Sequence, residues 1–237
     1  MREVNSFVKG IRDGLPICFG YLSVAFAFGI FAAANGMSVI EALLMSMTNV
    51  TSAGQLAAVP IIASGGTLIE LAVSQLVINL RYALMSVSLS QKLGKSVRLI
   101  DRFLIAFVNT DEVFAVASSQ DGAVGRKYLY GLILTPFLGW SAGTLLGAAA
   151  GQWLPPIVIS ALGIAIYGMF IAIVLPKAKR HRPTAFCALL AVALSCVFTY
   201  IPGLKDVPSG FAVIICAVIA ASVMAITVPV REEKPNE

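Results

Sequence analysis

The chain has 237 residues, of which 58% are hydrophobic and only 12% are charged, with a formal net charge of +5 and a mean hydropathy of +0.89. Soluble domains carry about 25% charged residues, so this composition excludes a water-soluble globular domain and predicts an integral membrane protein. The basic residues stand in short runs between apolar segments. That pattern orients membrane proteins and does not indicate a partner nucleic acid.

Eight apolar segments approach or reach the length of about 20 residues that a helix needs to cross a bilayer. They are residues 15–34, 42–62, 68–89, 104–118, 128–150, 157–175, 184–200 and 210–230. No soluble domain, linker or low-complexity tract separates them. Residues 1–237 are therefore predicted to form a single membrane transport domain, an all-α polytopic helical bundle.

The basic residues between segments favour one arrangement in the membrane. If all eight segments cross and the N-terminus is cytoplasmic, a short outer loop carries Lys92, Lys95, Arg98 and Arg102, against the positive-inside rule. If the second and fourth segments instead enter and return on one side, that loop becomes cytoplasmic. These two segments are also the most polar, with TNVTSAGQ at 48–55 and NTDE at 109–112. We predict six full spans plus two broken or re-entrant segments, with cytoplasmic termini; seven or eight ordinary spans are the alternative.

Four charged residues fall inside these segments: Glu70 near the start of the third, and three deeper ones, namely Arg81 in the third and Asp111 and Glu112 in the fourth. A charge at the centre of a membrane helix costs about 2.5–3.5 kcal/mol, so the three together would cost on the order of 10 kcal/mol if they faced lipid unpaired. They are predicted to face protein or water, and one another. Because Asp111 and Glu112 point about 100° apart on a helix, only one is expected to meet Arg81 directly. A purely structural ion pair is the alternative to a binding site.

The third segment has a broad polar face. At about 100° per residue, one stripe and its neighbour collect Glu70, Ser74, Gln75, Asn79, Arg81, Tyr82 and Ser86. Such a face on an otherwise apolar membrane helix is typical of a helix that lines a cavity.

Small residues in the second segment predict a helix break around Ser52-Ala53-Gly54. A break is tolerated at membrane depth only where the backbone is enclosed by protein or lines a cavity. Broken helices direct free N–H groups at anions in many secondary transporters. We therefore expect the polar cluster to bind a zwitterion, with either acid of the fourth segment available to carry a proton.

Glycines recur at every fourth position of the fifth segment, at Gly139, Gly143, Gly147 and Gly151. This small-xxx-small stripe allows another helix to approach closely. The approaching helix belongs either to this chain or to a second subunit that docks in the groove.

The sequence has no pattern typical of an enzyme. Its single histidine, His181, lies in the basic loop KAKRHRP (177–183), and there is no zinc-ligand spacing, serine–histidine pair or glycine-rich phosphate loop. A secondary transporter without a cofactor or metal is the predicted function. A passive channel for a small solute or ion, and a non-transporting membrane assembly subunit, are the alternatives.

Four motifs carry a resemblance to a known family. In order, they are GLPICFGYLSVAFAFG at 14–29, SAGQ at 52–55, NLRYALMS at 79–86 and TDEVFA at 110–115. They resemble the AzlC family, the large subunits of bacterial branched-chain amino acid exporters. The resemblance covers roughly the first half of the chain, and Tyr82 stands where many relatives carry histidine.

The resemblance implies export of leucine, isoleucine or valine across the bacterial cytoplasmic membrane, coupled to protons or to the membrane potential. It also implies a small hydrophobic partner subunit of the AzlD type. Carried onto this sequence, it points to these residues for substrate binding: Ser52, Gly54, Gln55, Asn79 and Arg81. Asp111 and Glu112 are the residues it points to for ion or proton coupling.

Overall fold

The computed structural model describes residues 3–151, 153–155, 157–158, 168, 171, 174–176, 178–204 and 206–228. The predicted sixth segment (157–175) lies largely outside these residues, as does the C-terminal tail. Nine helices have described bounds: α1 Phe7–Ala34, α2 Val39–Thr48, α3 Ser52–Ala63, α4 Leu68–Ser90, α5 Leu99–Phe107, α6 Asp111–Ser118, α7 Arg126–Gly151, α8 Arg182–Tyr200 and α9 Ser209–Thr227.

Five of these helices, α1, α4, α7, α8 and α9, are long and apolar enough to cross a membrane. Large apolar side chains point outward from them, such as Leu84, which is 70% exposed on α4. Outward leucines are favourable in lipid and unfavourable in water. The predicted all-α membrane bundle is confirmed.

The glycine stripe of α7 is filled by α1, which runs parallel to α7 along its length. A Cβ atom built on Gly139 would lie 2.5 Å from the carbonyl oxygen of Cys18, and Gly143 and Gly147 approach α1 backbone even more closely. Glycine is required here because any side chain would force the two backbones apart. Packing within the chain is therefore confirmed, and the docking groove for a second subunit is wrong.

One end of the bundle, called here the N-terminal end, collects three stretches that are far apart in sequence. Val4 N–H donates to Ala123 O at 2.8 Å, and Gly94 N–H donates to Val124 O at 2.8 Å. The loop that carries Lys92 and Lys95 therefore lies at the same end as the N-terminus, as the re-entrant arrangement predicts. An arrangement in which the second segment crosses would place this loop at the opposite end.

The second and fourth predicted segments are each broken into two short helices. α2 begins and α3 ends at the opposite end of the bundle. Between them the chain turns back at residues 49–51, called here the first tip. α5 begins and α6 ends at the N-terminal end. Between them the chain turns back at residues 108–110, called here the second tip. Both predicted breaks are present, and the first lies just before Ser52-Ala53-Gly54; the number of full spans stays a prediction. The hydroxyl oxygen of Thr51 accepts from Gly54 N–H, so Ser52 already starts α3.

Candidate functional site

The two tips meet at a cavity of about 580 Å³, called here the large cavity, which α1, α4 and α7 complete. Aliphatic side chains such as Ile17, Val24 and Val116 form much of its wall. The polar or hydrogen-bonding members of the wall are Tyr21, Thr51, Ser52, Arg81, Tyr82, Thr110, Asp111, Glu112 and Trp140.

Arg81 projects from α4 into the large cavity and pairs with Asp111. Its Nη1 lies 2.6 Å from the Asp111 carboxylate, and the two side chains are 48% and 46% exposed. Its Nη2 donates to the Tyr82 hydroxyl at 2.9 Å, and its guanidinium carbon lies 4.7 Å from the centre of the Tyr82 ring. The Tyr82 hydroxyl in turn donates to Thr51 at 3.3 Å. Arg81 is thus paired but still accessible, as a group that binds a ligand must be.

Two helices start at the large cavity, and each presents the positive end of its dipole there. Thr51 caps α3 and Thr110 caps α6, each hydroxyl oxygen accepting a backbone N–H of the first turn. The first turn of α6 contains Asp111 and Glu112, whereas that of α3 contains no acidic residue. The positive end of α3 therefore has no carboxylate of its own, and it favours an incoming anion.

Glu112 is bound by Tyr21, one of two aromatic residues that pack together on the wall of the large cavity. The Tyr21 hydroxyl donates to the Glu112 carboxylate. The Tyr21 ring packs edge-on against Trp140, with ring centroids 5.0 Å apart. The two acids of α6 thus have different partners: Asp111 pairs with Arg81, and Glu112 accepts from Tyr21. This agrees with the prediction that only one of them meets Arg81.

Behind Trp140, a buried chain of hydrogen bonds ties the first broken segment to α7. The indole Nε1–H of Trp140 donates to Gln55 Oε1 at 3.0 Å, and Gln55 Nε2 donates to Ser46 Oγ at 2.6 Å. Ser46 and Thr144 hydroxyls share a further bond of 2.6 Å. Because indole only donates, the orientation of the Gln55 amide is fixed. The chain holds α2 and α3 at a defined position against α7.

The structure brings four of the seven predicted site residues to the large cavity: Ser52, Arg81, Asp111 and Glu112. It does not bring the other three there. Gly54 packs against Gln75, Gln55 belongs to the buried chain behind Trp140, and Asn79 lines a neighbouring cavity. Glu70, on the polar face of α4, lies away from the site and accepts the Gly210 N–H at the start of α9, at 2.9 Å.

Sequence reasoning missed Tyr21, Thr110 and Trp140 on the cavity wall. Tyr21 and Trp140 stand in apolar runs on helices that are far apart in sequence, and aromatic residues are common at such positions. Thr110 did carry a signal, since a threonine directly before Asp111 and Glu112 is a typical start of a helix.

A family model described as "AzlC protein" matches residues 16–154, which include every residue named on the wall of the large cavity. This chain belongs to the AzlC family. AzlC-family members are membrane proteins of the transporter type. Residues 16–154 take in the two tips, the polar face of α4 and most of the α1–α7 pair.

Similarity to individual AzlC-family relatives extends over most of the chain. "Inner membrane protein YgaZ" from Escherichia coli (strain K12) is 29% identical over 228 residues, which cover 93% of this chain and 91% of the relative. An "Uncharacterized membrane protein" from Archaeoglobus fulgidus is 35% identical over 191 residues, or 80% of this chain and 84% of the relative. One from Helicobacter pylori (strain J99) is 24% identical over 164 residues, or 63% and 68%. No solved structure matches the chain.

Proposed function

We propose that this protein is a secondary transporter, not an enzyme, that exports branched-chain amino acids across the bacterial cytoplasmic membrane. It acts with a small hydrophobic AzlD-type subunit, and protons or the membrane potential drive the export. The proposal deepens the family assignment, which by itself gives a transporter-type membrane protein.

The observation that carries the proposal is the sorting of charge around the large cavity. The start of α3 and the guanidinium of Arg81 are positive and suit a carboxylate; Ser52 offers a hydroxyl beside them. Glu112 and Asp111 are negative and suit an α-ammonium group. The aliphatic wall suits a branched hydrocarbon side chain. A zwitterion with an apolar side chain has this same arrangement of groups.

Coupling is assigned to the two acids at the start of α6. A substrate carboxylate that reaches Arg81 competes with Asp111 for the guanidinium, because both approach the same N–H donors. When Asp111 is displaced, its carboxylate becomes free to take up a proton or to bind the ammonium group. Binding of substrate and protonation of Asp111 thereby depend on each other.

The N-terminal end of the bundle is assigned to the cytoplasm. It carries the basic loop with Lys92 and Lys95 beside the N-terminus and the start of α7, where Arg126 and Lys127 stand. Cytoplasmic loops carry the excess of lysine and arginine. The relative from Escherichia coli, named as an inner membrane protein, agrees with a location in the cytoplasmic membrane.

The decisive experiment is counterflow of labelled leucine in vesicles that contain the protein, with and without a co-expressed AzlD-type subunit. We expect leucine to accumulate transiently against unlabelled leucine, isoleucine or valine inside, and much less against unlabelled aspartate or lysine. Flux that does not saturate and does not show counterflow would identify a channel instead. No flux in the presence of the small subunit would favour an assembly subunit.

A further inference from the structure

A second, smaller cavity of about 160 Å³ lies between the two tips, beside the large cavity. Thr51, Tyr82 and Thr110 line both cavities. Three groups line the smaller cavity but not the large one. They are the last turn of α2 with Asn49, the last turn of α5 with Asn109, and Asn79 of α4. No acidic or basic side chain lines the smaller cavity among the described residues.

Asn79 has a buried amide oxygen that lacks a hydrogen-bond donor. The orientation of the Asn79 amide can be traced to the Gly54 carbonyl. A carbonyl can only accept a hydrogen bond, so this one accepts from Gln75 Nε2, at 2.9 Å. Gln75 Oε1 must then accept, and it does so from Asn49 Nδ2 at 2.9 Å and from Asn79 Nδ2 at 3.3 Å. The Asn79 oxygen is thus the atom left without a partner. Buried polar atoms of this kind call for an explanation.

Asn109 contributes a similar buried amide from the second tip. Its side chain is buried, with the residue only 3% exposed, and its Nδ2 donates to Ser86 Oγ at 3.1 Å. Its Oδ1 has no donor. A third oxygen comes from Thr48, whose hydroxyl hydrogen is directed to the Leu44 carbonyl at 2.7 Å, so its lone pairs remain available. Three residues that line the smaller cavity, from α2, α4 and the second tip, therefore carry an oxygen with lone pairs available to a ligand.

The helix dipoles distinguish the two cavities by sign. The first residues of α3 and α6, Ser52 and Asp111, line the large cavity and not the smaller one, and their caps Thr51 and Thr110 line both. The last residues of α2 and α5, Thr48 and Phe107, line the smaller cavity and not the large one. The end of a helix carries a partial negative charge and carbonyl groups without helical partners. A positive ligand is therefore favoured in the smaller cavity, while an anion is favoured in the large one.

We propose that the smaller cavity binds a small monovalent metal cation, Na⁺ or one of similar size, through the side-chain oxygens of Asn79 and Asn109. Hard cations prefer oxygen ligands, and divalent ions take carboxylates that this cavity lacks. Unwound backbone and helix ends coordinate such ions in transporters with broken helices. Because the cation would contact both tips, it would hold them together beside the large cavity. The proposal concerns binding in the absence of substrate and does not depend on the exported compound.

The test is thermal unfolding of the purified full-length protein in NaCl or choline chloride at equal ionic strength, without amino acids. A ligand that binds only the folded state raises Tm in a saturable manner. We expect NaCl to raise Tm relative to choline chloride, and Asn79→Ala and Asn109→Ala each to abolish that difference. Asn109→Asp keeps an oxygen and adds a charge, so we expect half-saturation at an about tenfold lower Na⁺ concentration.

The control is Asn35→Ala, which removes an exposed amide that donates to the Phe31 carbonyl at the end of α1, away from both tips. It should shift Tm equally in the two salts. If the alanine variants do not fold, binding of radiolabelled Na⁺ to the wild-type protein is measured instead. Equal Tm in NaCl and choline chloride, or no radiolabel retained, would overturn the proposal and leave water as the occupant. A Na⁺-dependent shift that survives both alanine substitutions would also overturn it.

Discussion

Arg81 illustrates how a charge is kept inside an apolar bundle. It has a carboxylate, a hydroxyl and an aromatic ring as neighbours, from Asp111 and Tyr82. It also remains about half exposed, so it does not form a closed ion pair. A closed pair would only stabilise the fold, whereas an accessible one leaves the guanidinium open to an incoming carboxylate.

Arg81→Ala is expected to reduce leucine export to the background level while the protein still reaches the membrane. In the proposed mode of binding, the substitution removes the guanidinium that pairs with the substrate carboxylate, and it also leaves Asp111 without this ion-pair partner. Export from cells, normalised to membrane protein on a blot, measures it. Arg98→Ala is the matched control, since Arg98 is exposed at the N-terminal end and lies 3.7 Å from Asp101. Unchanged export by a normally expressed Arg81→Ala protein would remove Arg81 from the site.

Tyr21→Phe is expected to raise KM for leucine about tenfold, because a hydrogen bond to a charged group contributes about 1.5–3 kcal/mol. The substitution removes the donor to Glu112 and retains the ring that packs on Trp140. Tyr130→Phe is the control, since it removes a similar bond to Asp101, of 2.7 Å, outside the large cavity. An equal change of KM in both variants would show a general loss of stability.

At the scale of the helices, the periodicity and the breaks could be predicted from the sequence, but the neighbour that each helix packs against could not. The stripe with Gln75, Asn79, Tyr82 and Ser86 does face the tips, as the 100° rule predicts. The first break was placed too late, because the choice of Thr51 as cap depends on local backbone geometry. The glycine stripe of α7 predicted a close helix but could not name α1, since the spacing is the same for any partner.

Gly143→Ala is expected to lower Tm and the yield of folded protein, while Gly20→Ala is tolerated. A Cβ on Gly143 would collide with the Leu22 carbonyl of α1, whereas one on Gly20 meets nothing within 4 Å. Overpacking typically costs about 1–3 kcal/mol, and glycine to alanine in an open helix position gains up to about 1 kcal/mol. Size-exclusion profiles and Tm in detergent measure both. Equal behaviour of the two variants would contradict the close α1–α7 contact.

At the scale of the whole molecule, the distribution of basic residues predicted the architecture better than hydrophobicity did. Hydrophobicity alone marks segments 42–62 and 104–118 as crossing candidates. The loop with Lys92 and Lys95 required them to return, and the structure places that loop beside Val4 and Val124. The position of the large cavity could not be predicted, because it depends on two tips that approach from opposite ends.

Cysteine labelling tests this arrangement. In a variant without the native cysteines, Lys95→Cys and Asn5→Cys should react with an impermeant thiol reagent from the cytoplasmic side only. Ser64→Cys, placed just after α3 at the opposite end, should react only from outside. If Lys95→Cys and Asn5→Cys react from opposite sides, the second segment crosses the membrane and the re-entrant arrangement is wrong.

The meeting of two tips at mid-depth has an electrical consequence. If water enters along either pair of short helices, it reaches the tips with Thr51 and Thr110 before it has crossed the bundle, and the insulating layer is then thinner than the bilayer. Nearly the whole transmembrane voltage then drops over this short distance. Moving one elementary charge across this layer changes its electrostatic energy by about 2.3 kcal/mol per 100 mV. A side-chain movement of a few ångströms at Arg81 and Asp111 is therefore enough for the membrane voltage to perform work on the protein.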